Sequence, residues 1–402
     1  MNIGIVTTWF ERGAAYVSRQ FMDVLQKTDN VFIYARAGES YAIGNPKWDL
    51  DNVHWGKRDI GKLAILSTYI EKKDFVKWLK KYNIDVVIFN EQNWLTPVLW
   101  CKDEGIKAVA YIDYYNELMI PLFNVYDAVI CNTKRHAFAF RHHPNVLYLK
   151  WGTNLNLYKF FNEEHDKLTF FNSAGMDPRR KGTDYTIRAF YNLKNRQKAK
   201  LLIHSQVSVC QICNELSDIV KELKEEGSLE IIEETISAPG LYHKADVYVY
   251  PSRLDGIGLT LMEAIASGMA CITVDNGPMN EFVEDNFGKL CKVDYFYCRA
   301  DGYYWPMCEI NVTSLTSIMQ AYVNGEYDVE LMKKNARIYA EKELDFDKNI
   351  QKLSGILASL EYSKVSQNLR NALYLYDHRG LKRFVNILSP FYDIAYRLKG
   401  KK

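Results

Sequence analysis

The stretch 247–283, VYVYPSRLDGIGLTLMEAIASGMACITVDNGPMNEFV, constrains the fold more than any other part of the chain. A short apolar run at 247–250 reads as a buried strand, a loop with Pro251, Gly256 and Gly258 follows, and apolar periodicity predicts a helix that Gly268 ends. A second apolar run at 271–274 and the turn Asn276-Gly277-Pro278-Met279-Asn280-Glu281 repeat the pattern at once. Strand, glycine turn, helix and strand make the unit of a parallel α/β sheet, whose ligands sit at the carboxyl ends of the strands. Glycine lets the backbone approach a ligand, and the N–H groups that open a helix, at its positive dipole end, suit an anion. A phosphate is the expected guest. Two carboxylates lie eight positions apart, Asp255 in the loop and Glu263 in the helix. On either side of an anion site they suit the hydroxyl groups that flank a diphosphate, as in a nucleotide sugar.

The run PSRLDGIGLTLMEAIASGMACITVDNGPMNE resembles the signature of the retaining, GT-B-fold, nucleotide-sugar-dependent glycosyltransferases of the group 1, or family 4-like, class. Members usually read PS-x-x-EGFGL-x-x-LEA-x-x-x-G-x-P-V followed by GG-x-x-E. The resemblance implies two Rossmann-like doubly wound domains facing an interdomain cleft, with an E-x7-E pair in which the first acid touches the donor sugar and the second the ribose. Here that pair is Asp255 and Glu263, so the first acid is one methylene shorter than usual. The backbone near Gly256, Gly258 and Leu259, with Glu281 in the next turn, is implied to hold the rest of the donor.

The segment LTFFNSAGMDPRRKGTDYTIRAF, from Leu168, resembles the family's second-domain opening, with Gly175 and the Lys181-Gly182 pair in place. Lys181 is expected on the donor diphosphate, where an ammonium neutralises charge building on the leaving phosphate. Met176 stands where the family usually has arginine, and Arg179 or Arg180 is expected to supply that charge, unless both are solvated loop residues. In the first half, strands are expected at 2–8, 31–35, 85–90, 108–112 and 127–131, with a helix at 15–26, as a Rossmann-like domain begins. The strand at 85–90 ends in Glu91, Gln92 and Asn93, placed either for acceptor contact or to cap the next helix. Asp113 aligns with a family histidine that lies near the reacting sugar, and is a candidate catalytic residue on that resemblance. Tyr303 and Trp305, in an aromatic segment at 295–305, are candidates for stacking on an acceptor sugar or for covering the core.

These readings divide the chain into an acceptor domain at 1–155, a nucleotide-sugar donor domain at 156–345, a helix crossing back at 346–362 and a tail at 363–402. The tail carries five lysines and four arginines against two aspartates, a net charge of +7, with Leu381, Phe384, Val385 and Leu388 on one helical face. It suits an anionic membrane surface, as a lipid-linked acceptor would require, or packing on the protein itself. The whole chain carries only +2 and has no dense basic and aromatic block, which argues against a nucleic-acid partner. With no apolar run of membrane-spanning length and no signal-peptide pattern, a cytoplasmic protein, peripheral on the inner face of the membrane, is expected. Cys210 and Cys213 form a lone C-x-x-C without a second pair, so neither metal nor cofactor is expected. The expected activity is transfer of a sugar from a nucleotide-diphosphate sugar to an acceptor hydroxyl of a saccharide or lipid-linked saccharide. The alternatives are a non-catalytic GT-B protein that binds nucleotide sugar or glycan and supports a partner enzyme, and a sugar-nucleotide epimerase.

Overall fold

The computed structural model describes residues 1–11, 13–36, 42–57, 68–111, 114–161 and 163–378. The described residues form two compact units: those of Met1–Asn132, of His136–Leu149 and from Ile350 to His378 make the first, and those of Thr133–Arg135 and Lys150–Asn349 the second.

The first unit is built on seven strands: β1 Asn2–Thr7, β2 Asn30–Ala35, β3 Val53–Trp55, β4 Val86–Asn90, β5 Lys107–Tyr111, β6 Ala128–Cys131 and β7 Val146–Tyr148. They pair in the order β3-β2-β1-β4-β5-β6-β7, every pair parallel. Strands such as β4, VVIFN, are buried along their whole length, which is why they read as unbroken apolar runs and not as alternation. The helix Gly13–Leu25 turns Val17, Phe21, Met22 and Leu25 to the sheet at the three-to-four spacing of one helical face. The strand order reverses between β1 and β4, so the carboxyl end of β4 lies at the switch point where open α/β sheets bind ligands.

The end of the described chain belongs to this unit. The helix expected at 347–360 is split into Phe346–Ile350 and Leu353–Ser359, and the break falls where the chain passes from the second unit to the first. Lys107 Nζ donates to the carbonyls of Leu357 (2.9 Å) and Leu360 (3.1 Å), neutralising the negative end of the second piece. The segment read as a basic tail from Ser363, with packing on the protein as one of its two readings, is fixed to this unit as far as Asp377. Asp127, in a fully buried ion pair with Lys102, accepts from the N–H and the hydroxyl of Ser363 (2.7 and 2.8 Å). Asp377, closing the helix Gln367–Asp377, accepts from the Leu95 and Thr96 N–H groups and caps Thr96–Asp103, which has no side-chain cap nearer in sequence. The apolar face expected at 381–388 lies outside the described residues.

The second unit has six parallel strands, β8 Leu168–Gly175, β9 Ala199–Ser205, β10 Leu229–Glu233, β11 Val247–Tyr250, β12 Ala270–Val274 and β13 Gly288–Cys291, in the order β10-β9-β8-β11-β12-β13. Both halves thus fold as doubly wound Rossmann-like domains. The aromatic segment forms an antiparallel ribbon of β14 Val293–Tyr297 and β15 Met307–Ile310 beside that sheet. Asn311, the first residue of a formal glycosylation sequon, caps the helix Val312–Val323 through Ser314 N–H.

Candidate functional site

In the second unit the switch point lies between β8 and β11, and the two loops that leave these strands lie against each other. Gly182 makes this possible. It opens the helix Thr183–Tyr191 from a left-handed conformation (φ +73°), and a Cβ there would lie 2.0 Å from the Pro251 carbonyl oxygen, so no other residue permits the approach. The Arg253 N–H donates to the Arg180 carbonyl at 2.8 Å, and the Arg253 guanidinium forms two 2.7 Å bonds to the buried Asp184 carboxylate. The same guanidinium lies 3.8 Å from the centre of the Tyr185 ring. Planar, bidentate and desolvated, this pair holds one loop to the helix that follows the other.

The result is a compact charged cluster. Lys181 Nζ lies 2.5 Å from the Tyr250 hydroxyl, and both groups donate to Asp255 Oδ2. Asp255 Oδ1 accepts from Gly256 N–H at 2.9 Å, and Arg180 Nη1 stands 3.7 Å from Oδ2 while donating to the Leu254 carbonyl. Burial by itself raises the Asp255 carboxyl, but Lys181 and Arg180 outweigh it and hold the group well below the carboxylate range. Burial lowers Lys181, with Asp255 opposing, and raises the Tyr250 phenol, which therefore stays a donor. The helix Leu259–Ala266 starts from Gly258 in the left-handed region (φ +78°) with no side-chain cap, so its first-turn N–H groups are not covered by its own capping residue. Glu263, in the second turn, accepts from the Tyr242 hydroxyl at 2.6 Å, and Lys181 is near enough to act on it electrostatically. Burial raises Glu263 above its ordinary value against the hydrogen bonds from Tyr242 and Tyr158.

The structure therefore brings Lys181, Arg180, Asp255 and Gly256 into contact, with Gly258, Leu259 and Glu263 in the helix that follows. Gly175 ends β8 at the head of the Lys181 loop, with φ +57°. Glu281 is engaged elsewhere: both its oxygens accept from backbone N–H groups, of Lys134 (2.7 Å) and Arg135 (2.9 Å). Tyr303 is buried, with Arg299 over its ring, and one face of the half-buried Trp305 ring meets the Arg135 guanidinium at 4.4 Å. Asp113 lies outside the described residues. Among the described residues no three His, Cys, Asp or Glu side chains gather as metal ligands, and the thiols of Cys210 and Cys213 are free.

At the switch point of the first unit, Glu91 has a left-handed backbone (φ +53°), uncommon outside glycine. The buried Arg36 guanidinium donates to the carbonyls of Asn90 (2.6 Å) and Glu91 (3.0 Å). Gln92 spends its NH2 on the carbonyls of Thr68 (2.6 Å) and Trp94 (2.7 Å), and Asn90 on Ala14 O (2.8 Å) and Ser18 Oγ (2.7 Å). These carbonyls accept only, so the orientation of both amides is fixed. Among the described residues, Asn90 Oδ1, Gln92 Oε1, Asn93 Oδ1 and Arg36 Nε are buried without a hydrogen-bond partner. Gln92 thus braces two backbone carbonyls and keeps one acceptor atom unused, and the capping expected of 91–93 is supplied by Asp377.

Sequence reasoning missed Tyr250, Tyr242, Arg253 and Arg36. The alternation VYVY carried a signal for the first, since it sets Tyr248 and Tyr250 on one face and leaves Tyr250 at the strand's carboxyl end.

Residues 156–295 match the family described as glycosyl transferases group 1. The matched residues include Lys181, Asp255 and Glu263. A curated relative, the lipopolysaccharide core biosynthesis mannosyltransferase LpsB of Rhizobium meliloti (strain 1021), is 27% identical over 176 residues, which are 39% of this chain and 48% of the relative. The match therefore spans about half of that relative's length. Among solved structures, a glycosyltransferase from Rickettsia africae ESF-5 superimposes with TM-score 0.70 at 15% identity, over 89% of this chain and 98% of that one. Sucrose-phosphate synthase from Thermosynechococcus elongatus gives 0.67 at 15%, over 90% and 99%. Anabaena HepE in complex with UDP gives 0.65 at 13%, over 89% and 100%. At these identities the likeness establishes the fold, two Rossmann-like domains of the GT-B type.

Proposed function

We propose that the protein is a retaining, metal-independent glycosyltransferase that moves a hexosyl group from a nucleotide-diphosphate sugar to an acceptor hydroxyl. The observation that carries the reading is the cluster of Lys181, Arg180 and Asp255 beside an uncapped helix start, with Glu263 one turn on. The HepE relative was solved with UDP and with UDP-glucose, and LpsB is named a mannosyltransferase, which supports a nucleotide-sugar donor and a saccharide acceptor.

In this reading Glu263 accepts from ribose hydroxyls. The diphosphate lies between Lys181, Arg180 and the N–H groups near Gly258 and Leu259, and Asp255 meets the sugar. The bond from the anomeric carbon to the leaving phosphate oxygen breaks, the acceptor oxygen bonds to that carbon, and the acceptor proton passes to the departing phosphate. Charge on that phosphate grows as the bond breaks, so fixed positive groups stabilise the transition state more than the ground state. Glu91 and Asn93, with the unused oxygen of Gln92, are proposed to take acceptor hydroxyls in the first unit.

Mass spectrometry of nucleotide-sugar mixtures, incubated with and without glycan acceptors, tests the reading. Loss of one nucleotide sugar with release of its nucleoside diphosphate is expected. Isomerisation would make the protein an epimerase, and binding without turnover would make it a non-catalytic partner of another enzyme. A lipid-linked acceptor in surface-glycan assembly is the second part of the proposal, supported by the basic composition from 363 on, and it would place the protein on the inner face of the membrane. No helix among the described residues is long and apolar enough to cross a membrane. Co-sedimentation with anionic vesicles at low salt is expected for the full chain and not for a chain ending at Asp377.

A further inference from the structure

Oδ2 of Asp255 is saturated in a way that the sugar-facing oxygen of a carboxylate should not be. Oδ1 takes the Gly256 N–H, and Oδ2 takes both the Lys181 ammonium and the Tyr250 hydroxyl. The two donors on Oδ2 differ in one physical respect. Lys181 ends a flexible four-carbon stem in a loop, and its ammonium goes to whichever anion offers more charge. A diphosphate outcompetes one carboxylate. Tyr250 has no such freedom: it is the last residue of β11, fully buried, and its ring stacks on Tyr248 at 5.7 Å with planes 18° apart.

When a diphosphate draws Lys181 away, Asp255 keeps two fixed donors, Tyr250 and the Gly256 N–H. A lone pair of Oδ2 becomes free. We propose that Tyr250 is a positioning residue of the donor site, whose hydroxyl keeps Asp255 aimed at the donor sugar once the diphosphate has taken Lys181. The side chain of Asp255 is short, and the phenol sets its direction. Recognition of the sugar is then coupled to the presence of the diphosphate, because Asp255 is occupied by Lys181 until the diphosphate arrives. The inference rests on the nucleotide-sugar reading of this site.

Calorimetric titration needs no acceptor and tests the inference directly. The probes are a nucleoside diphosphate and its sugar-bearing form, starting with UDP and UDP-glucose and, if these do not bind, the pair that most stabilises the wild type in a panel. In Tyr250→Phe the Kd of the free diphosphate should stay within about twofold, while the preference for the sugar-bearing form over it falls about tenfold, the loss of one hydrogen bond to a charged group. In an Asp255→Asn background the same Tyr250→Phe change should cost nothing further, because Tyr250 acts through Asp255. Equal weakening of both ligands by Tyr250→Phe, or a further tenfold loss in the Asp255→Asn background, would overturn the positioning role. Unchanged affinities in Tyr250→Phe would do the same. A wild-type protein that binds no member of the panel removes the nucleotide-sugar reading itself, and a Tyr250→Phe protein that melts early is judged on the Asp255→Asn pair alone, where an intact preference for the sugar contradicts the inference.

Discussion

The switch points of the two sheets solve the same problem in opposite ways. In the second unit the polar groups neutralise one another: Lys181 and Tyr250 share Asp255, Tyr242 serves Glu263, and Asp184 holds Arg253. In the first, among the described residues, Arg36 meets only carbonyls as hydrogen-bond partners, and three amide oxygens at 90, 92 and 93 have none. A cluster that pairs its charges internally stays folded without ligand and exchanges partners when a stronger anion enters. Buried polar atoms left without partners burden the fold until something supplies donors. On the proposed function, the difference teaches that the donor side is pre-assembled, and that the acceptor side awaits hydroxyl groups.

Substitutions on the two sides should separate accordingly. Lys181→Ala has the largest expected effect, a fall in kcat of about 10² to 10³, with a smaller change in KM, because its charge is proposed to meet the departing phosphate. A change confined to KM would show uniform binding instead. Glu263→Gln should weaken the free nucleoside diphosphate about tenfold in a binding titration, with the melting temperature little changed. On the other side, Gln92→Leu strands the Thr68 and Trp94 carbonyls and should cost about 1–3 kcal/mol in urea unfolding, with donor affinity intact.

The smallest effect is a difference in sign between two carboxyls. Asp255 is held below its ordinary 3.8, so its contribution to stability is present above that pH and lost as pH falls further. Burial raises Glu91 above its ordinary 4.5, with Arg36 opposing, so the fold is favoured below 4.5 and loses that share as pH rises through the native value. Melting curves across pH should show Asp255→Asn flattening the acid limb, and Glu91→Gln raising stability near neutrality but not at pH 4. Matching profiles for the two variants would erase the contrast.

The sequence carried the donor side further than the acceptor side for physical reasons. The strands β8, β11 and β12 are largely buried and rich in apolar residues, and the glycine turns after them have few alternatives. Lys181 and Asp255, however, are 74 positions apart, and only the resemblance to a known family paired them. What no pattern held was the choice of partners: that Tyr250 would share Asp255, that Glu281 would be consumed by backbone N–H groups, or that Arg135 would cover Trp305. The ribbon β14–β15 was not legible in the aromatic segment because its exposed Tyr295 and Phe296 obey no burial period. Asp377 looked like one acid in a basic tail, and caps a helix more than 280 positions earlier.

The central claim, that the second unit is a nucleotide-sugar donor site, is tested most directly by thermal melting of the wild type and Glu263→Gln with a panel of nucleotide sugars. At about 100 times its Kd the correct donor should add about 2.7 kcal/mol of stability to the wild type, and less to the variant at the same concentration. A wild type that no member of the panel stabilises, or one matched by Glu263→Gln at every concentration, would contradict it.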